Sequence, residues 1–325
     1  MLNETSNLNN SYTIAFYNLE NLFDIYDDPD TMDDDFTPEG KKKWNAKRYN
    51  RKLKKLSSVI SQIGTDTSFT APVIVGLAEV ENLQVVTDLV NTKALLEFNY
   101  GIAHFDSPDE RGIDVALIYQ KEHFEYIDSE TVTLYLYQED GERDYTRDVL
   151  LVKGKLNGEL IHFMVNHWPS RRKGTKETEL RRIKAAALKH EIIVKIKLET
   201  ENPKIIIMGD FNDDPTSISI KQHLVTQDFY NPFESIIDKG QGSLRFNDDW
   251  FLFDQIIFSR NFFDEQDKTH IFKQAEIFDD HFLKEWKGKR KGNPFRTYIG
   301  KWHQGGFSDH FPVYITLNCI DNEPV

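Results

Sequence analysis

Apolar residues in this chain fall into short unbroken runs, of which Ile205-Ile206-Ile207-Met208 is the clearest. Such runs suit strands covered on both faces, because a half-solvated strand would alternate apolar and polar positions. The pattern predicts strands over Thr13–Tyr17, Val73–Leu77, Ile113–Tyr119, Val149–Leu156, Leu160–Val165, Lys204–Met208, Phe253–Phe258 and Val313–Leu317. Helical spacing occurs twice. Leu53, Leu56, Ile60 and Ile63 recur at steps of three and four. Leu180, Ile183, Ala187, Leu188, Ile192 and Ile196 form the expected stripe of a helix over about Lys176–Leu198. A shorter helix is expected after Pro215, with Asp213 and Asp214 capping its entry.

Val149–Leu156 and Leu160–Val165 flank Asn157-Gly158, a strong hairpin signal. Hairpins among the strands favour mixed sheets over one doubly wound parallel sheet. Residues 260–307 are aromatic, charged and irregular, and are expected to be an insertion near the end of the domain. No linker or internal repeat is apparent. The division expected is a flexible tail over 1–11, one domain over 12–319 and a C-terminal tail over 320–325.

No apolar run approaches the length needed to cross a bilayer, so a soluble protein without a membrane span is expected. The polar start MLNETSNLNN lacks the basic and apolar regions of a secretory signal, which points to a cytoplasmic protein. A secreted or periplasmic protein whose signal had been removed would read the same way. A single cysteine, Cys319, excludes an intramolecular disulfide framework and a multi-cysteine metal site. The net charge of −13 disfavours a polyanionic substrate at first sight. Basic clusters at 41–55, Arg171-Arg172-Lys173 and 287–291 qualify this, since an acidic pit with a basic rim also suits phosphate chemistry. Each cluster taken alone also reads as solvated surface charge.

Acids, amides and histidines gather at the strand ends. Asn18-Leu19-Glu20-Asn21 follows the first strand, and Glu79 and Glu81 end the second. Asn166-His167-Trp168-Pro169-Ser170-Arg171 ends the second hairpin strand. Gly209-Asp210-Phe211-Asn212 ends the Ile205–Met208 run, Asp254 starts a strand, and Ser308-Asp309-His310 precedes the last one. Gly-Asp-Phe-Asn alone could be an ordinary turn; the set carries the argument. An acid-rich, sulfur-free inventory selects a hard cation, Mg²⁺ or Mn²⁺. No His-Glu-x-x-His favours zinc, and no Gly-x-Ser-x-Gly elbow favours a serine hydrolase. What remains is metal-assisted attack of water on a phosphorus ester.

In order, type and approximate spacing these clusters resemble the endonuclease/exonuclease/phosphatase superfamily, which includes pancreatic deoxyribonuclease, apurinic/apyrimidinic endonucleases, inositol polyphosphate phosphatases and bacterial sphingomyelinases. The resemblance covers roughly residues 12–318, and the opening Phe16-Tyr17-Asn18-Leu19-Glu20-Asn21-Leu22-Phe23-Asp24 is similar to a bacterial subgroup of nucleases. It implies a four-layer α/β/β/α sandwich of two mixed sheets packed face to face, with helices outside.

By position the resemblance makes Glu79 the principal metal ligand, supported by Asn18, with Glu20 and Asp309 as further acids near the metal. It assigns Asp210 and Asn212 to the attacking water and the phosphate, His310 to the scissile phosphate, and Asp254 to orienting His310. His167 matches a second histidine of the deoxyribonuclease and phosphatase branches. A carboxylate partner favours the imidazolium, which suits a phosphorane-like charge. Asp114, in Arg111-Gly112-Ile113-Asp114, is the candidate partner of His167 or simply a strand-start acid. Arg147 matches a phosphate-contacting arginine or makes a surface salt bridge, and Arg111 and Arg171 are further substrate-binding candidates. Of the five tryptophans, one or two at most are expected to serve substrate.

Two substrate classes follow, in a protein expected to be monomeric. The first is nucleic acid, cut by a metal-dependent nuclease. The alternative is a phosphorylated small molecule or lipid headgroup, cut by a phosphatase or phosphodiesterase. A sphingomyelinase-like role would want an exposed apolar hairpin, and residues 282–307 are too polar for one.

Overall fold

The computed structural model describes residues 10–68, 70–172 and 174–320. Most of the expected tails, 1–9 and 321–325, lie outside the described residues, as does Lys173 of the Arg171-Arg172-Lys173 cluster. Ser11 already belongs to the first strand.

Twelve strands form two six-stranded sheets. They are β1 (Ser11–Leu22), β2 (Ile74–Val80), β3 (Tyr100–His104), β4 (Asp114–Gln120), β5 (Phe124–Val132), β6 (Val149–Leu156), β7 (Glu159–His167), β8 (Lys204–Asp210), β9 (Phe229–Tyr230), β10 (Asp254–Ser259), β11 (His270–Ile277) and β12 (Val313–Cys319). The first sheet runs β11-β12-β1-β2-β4-β3 and the second β9-β10-β8-β7-β6-β5. Each is mixed, with one parallel pair at its centre, β1 with β2 and β7 with β8. The remaining neighbours are antiparallel.

Alternation along the central strands explains the layers. On β1, Ile14 and Phe16 point between the sheets, while Ala15 and Tyr17 point outward under α1 (Ala46–Ile60) and α2 (Leu83–Val90). On β8, Ile206 and Met208 point between the sheets, while Ile205 and Ile207 meet α3 (Glu179–Glu199). Both faces of each run are therefore dry, which is why these strands carry no polar alternation. The result is the four-layer α/β/β/α sandwich. No helix among the described residues is long and apolar enough to cross a membrane.

Three details differ from the sequence reading. The buried face of α3 is Arg182, Ala185, Ala186, Lys189, Ile192, Ile193 and Ile196, whereas Leu180 is 71% exposed and Ala187 faces solvent. Arg182 takes an inward position because Asp213 neutralises it there, with Nε 2.6 Å from Oδ2. The helix after Pro215 is a single turn, Ile218–Lys221, and neither preceding acid caps it. Asp213 instead receives Arg171 and Arg182, and Asp214 Oδ1 accepts from Leu252 N at 2.8 Å. Finally, residues 260–307 are not wholly irregular: β11 lies within them and pairs with β12.

Candidate active site

Strand direction builds the site. The parallel pairs β1/β2 and β7/β8 bring four C-terminal ends to one edge of the sandwich, carrying Asn18, Glu79, His167 and Asp210. Strands β10 and β12 run antiparallel to their neighbours, so their N-terminal ends supply Asp254 and the Ser308-Asp309-His310 turn to the same edge. In the second sheet His167, Asp210 and Asp254 are register partners in one row across three strands. Gly209 permits this closeness, since a Cβ there would stand 2.3 Å from the Asn166 carbonyl oxygen.

Asp210 sits at the centre. Its Oδ2 accepts from Asn18 Nδ2 at 3.0 Å and its Oδ1 from Asn212 N at 2.9 Å, and His167 Nε2 lies 3.7 Å from Oδ2. Burial, reinforced by the Asp254 charge, pushes its carboxyl up to about 7. Asn212, in the left-handed region at φ 50°, donates its amide to Trp168 O at 3.0 Å. His310 Nδ1 lies 2.6 Å from Asp254 Oδ2. Burial works to lower this histidine, yet Asp254, Asp210 and Asp309 together hold it well above its usual value, as the imidazolium. Ser308 locks the turn by donating to Asn18 O at 2.7 Å and accepting from His310 N at 3.1 Å. His167 has the opposite character: burial, with the Arg147 and Arg111 charges, holds it well below the usual value and neutral.

Glu79 occupies a bulge between Ala78 and Val80 with φ 61°. A non-glycine residue there costs about 1–3 kcal/mol, a strain that aims its carboxylate into the cleft. Asn21 N donates to Oε2 at 2.9 Å. The other oxygen, Oε1, lies 3.7 Å from Arg111 Nη1 and 4.0 Å from His167 Nε2. Those separations leave room for a hard cation bound to Oε1 at roughly 2.1 Å. A cation therefore fits at Glu79, with Asn18 fixing Asp210 beside it. Ligand atoms of Asp210, Asp254 and His310 also lie within 4.8 Å of one another. There the Asp254–His310 hydrogen bond already uses the approach, so the trio reads as a proton-holding network.

Several sequence-derived roles change. Glu20 does not face the cleft: its oxygens accept from Thr297 N at 2.5 Å and from Tyr298 N and Arg296 Nε, each at 3.4 Å. Asp114 does not partner His167; it receives Ser107 N at 3.0 Å and lies 3.5 Å from His104 Nε2. Arg147 is buried, and its nitrogens go to Asp109 Oδ2 at 2.9 Å, Trp168 O at 2.8 Å and His167 O at 3.3 Å. It braces the end of β7, with each of its three nitrogens already donating to the protein. Arg171 lines the cleft but donates Nε to Asn212 O at 2.7 Å and lies 4.5 Å from the Phe253 ring. Arg111 also lines the cleft, donating to Asn21 Oδ1 at 2.6 Å. Asp309 is ion-paired with Arg296 at 2.6 Å.

Glu79, His167, Asp210, Asn212, Asp309 and His310 line a cleft of about 560 Å³. Arg111, Arg171, Arg172 and Arg296 are part of its lining, as is a hairpin, Leu244–Phe246 with Asp249–Phe251, that places Leu244, Phe246 and Phe251 against the cleft. Sequence reasoning missed both Arg296 and this hairpin. The Asn247-Asp248 pair is the signal that could have revealed the hairpin, since these residue types tolerate the left-handed region that a tight turn needs, and both adopt it here. Nothing comparable marks Arg296. Of the tryptophans, Trp44 and Trp168 are core residues, and none lines the cleft.

The sequence profile of the Endonuclease/Exonuclease/phosphatase family matches residues 13–319, and the chain belongs to that family of phosphoester hydrolases, whose enzymes use divalent metals. Among solved structures it is similar to a humanized TDP2 of D. rerio, with 14% identity, 95% of this chain and 99% of that chain covered and a TM-score of 0.60. A D. rerio TDP2 complexed with a single-strand DNA product matches at 14% identity over 95% and 99% of the two chains, TM-score 0.57. A mannosyl-6-phosphatase of Bacteroides thetaiotaomicron matches at 18% identity over 94% and 99%, TM-score 0.56. At these identities the likeness is one of fold. No curated protein sequence matches significantly.

Proposed function

We propose that this protein is a nuclease that hydrolyses DNA or RNA phosphodiester bonds, using Mg²⁺ or Mn²⁺. The observation that carries the reading is the row His167–Asp210–Asp254 with His310, set opposite Glu79 in one arginine-walled cleft. Glu79, with Asn18 and Asp210 behind it, would hold the cation, which when bound neutralises phosphate charge. His310, kept cationic by Asp254, donates to a phosphate oxygen as charge builds there. Asp210, raised to about 7 and fixed by Asn18 and Asn212, is placed to orient water and accept its proton. Arg172, which lines the cleft and is exposed, and Arg111 supply charge to the flanking backbone.

The aromatic hairpin supports nucleic acid over a sugar phosphate, because Phe246, 62% exposed, offers a face on which a base can stack. So does the fold it shares with a TDP2 that holds a single-strand DNA product. The alternative, a phosphatase of a small phosphorylated molecule, is supported by the mannosyl-6-phosphatase neighbour and by the −13 net charge.

The test is incubation with Mg²⁺ or Mn²⁺ against supercoiled plasmid, single-stranded DNA, RNA and a panel of sugar and inositol phosphates. Nucleic-acid cleavage abolished by EDTA and by His310→Ala is expected. Inorganic phosphate released from the small molecules, with every nucleic acid intact, would replace this reading by the alternative.

A further inference from the structure

Arg296 reaches the cleft from a loop and stands between Asp309, which lines the cleft, and Glu20, which is turned away from it. Its Nη2 donates to Asp309 Oδ2 at 2.6 Å and its Nε to Glu20 Oε1 at 3.4 Å. The loop that carries it is pinned on both sides. Thr297 N and Tyr298 N donate to Glu20, and the buried Lys52 Nζ donates to Thr297 Oγ1 at 2.5 Å, Phe307 O at 2.7 Å and Glu20 O at 3.3 Å. The backbone on which Arg296 stands is therefore fixed by a buried network, which holds the guanidinium, 40% exposed, within reach of both acids.

Two acids gathered beside a phosphate site need a compensating positive charge. A hard divalent cation would need their oxygens free at about 2.1 Å. Here both Glu20 oxygens and one Asp309 oxygen already accept from nitrogen donors. The guanidinium supplies a permanent charge in a fixed fork. Its Nη1 has no hydrogen-bond partner among the described residues, and Arg296 lines the cleft.

We propose that Arg296 stands in for a second divalent cation, so that this chain takes up one catalytic metal, at Glu79, and serves the Glu20–Asp309 side with a built-in guanidinium. This rests on the reading of the cleft as a metal-dependent phosphoesterase site. Charge on that side is then independent of metal concentration, and Nη1 is positioned to donate to a phosphate oxygen.

Mn²⁺ uptake by the purified full chain tests this, with free Mn²⁺ followed by electron paramagnetic resonance and no substrate present. Wild type, Arg296→Met, Asp309→Asn and Glu79→Gln are compared, after thermal melts establish that each is folded. Adventitious uptake by the acidic 24–35 stretch is common to all four and cancels in the differences. Arg296→Met is expected to take up one equivalent more than wild type, because Asp309 Oδ2 is freed and the pair loses its guanidinium, with Lys52 left 4.0 Å from Glu20 Oε2. Asp309→Asn is expected to match wild type. Equal uptake by wild type and Arg296→Met, or an equivalent lost in Asp309→Asn, overturns the proposal. Should Arg296→Met fail to fold, the Asp309→Asn comparison decides alone. Loss of one equivalent in Glu79→Gln is required by the functional reading itself. Its absence would sink that reading, whereas failure in the other variants alone sinks only this inference.

Discussion

His310 Nδ1 and Asp254 Oδ2 lie 2.6 Å apart, and Asp254 is fully buried. Burial alone would lower the histidine, so its elevation comes from Asp254 first and from Asp210 and Asp309 after it. A group with a raised folded value keeps its proton below that value and loses it as pH rises through it. Wild-type activity should therefore persist through neutral pH without a histidine-like fall. Asp254→Asn should lower turnover roughly 10²-fold or more and move the alkaline fall to lower pH. Turnover against pH on a cleaved oligonucleotide checks this. An unchanged profile in the variant would remove Asp254 from its positioning role.

Arg147 separates a substrate contact from a brace. Each of its three nitrogens donates to the protein, to His167 O, Asp109 and Trp168 O, so Arg147→Met should act on stability before chemistry. Removing one member of a buried pair leaves Asp109 uncompensated and costs about 3–5 kcal/mol. Urea denaturation should show that loss, with KM unchanged in the folded fraction. A fully stable variant with a raised KM would instead put Arg147 on the phosphate.

Strands covered on both faces were legible because their apolar runs are unbroken, as in Ile205–Met208. The strands that escaped notice, β3, β5, β9 and β11, all lie at sheet edges. On β5 the stretch Glu125-Tyr126-Ile127-Asp128 is exposed, and an edge half in water carries neither a run nor a clean alternation. The strand ends that gather at the cleft were legible because acids, amides and histidines stand out after apolar runs. Arg296 was not, since it reaches the cleft from a loop whose position depends on the distant Glu20 and Lys52. The α3 stripe was misread for a related reason: Arg182 sits inward only because Asp213, on another element, meets it.

Gly209 makes a backbone prediction. A methyl group there would press on Asn166 O at 2.3 Å, in the register pair beside His167 and Asp210. Gly209→Ala should cost about 1–3 kcal/mol, the usual range for overpacking. Activity should fall further than stability explains, because separating β7 from β8 moves His167 and Asp210 together. A variant that melts lower yet keeps wild-type turnover would mean the strands absorb the methyl without disturbing the site.

His162 lies far from this chemistry in sequence role, facing a small cavity on the α3 side of the second sheet. It is 3% exposed, its Nε2 has no hydrogen-bond partner, and burial together with the Lys153 charge lowers it to about 4, against a weaker pull from Glu199. In the unfolded chain it takes a proton near the usual 6.5. Between those values the unfolded state binds more protons than the folded one, so stability falls as pH drops from about 6.5 and levels off below about 4. His162→Phe keeps the volume and removes the titration, and should flatten that part of the curve relative to wild type. Urea unfolding of both proteins at about pH 7.5 and about pH 5 reads the difference directly. If the two lose stability in parallel, His162 is protonated in the folded protein and the cavity beside it admits the charge.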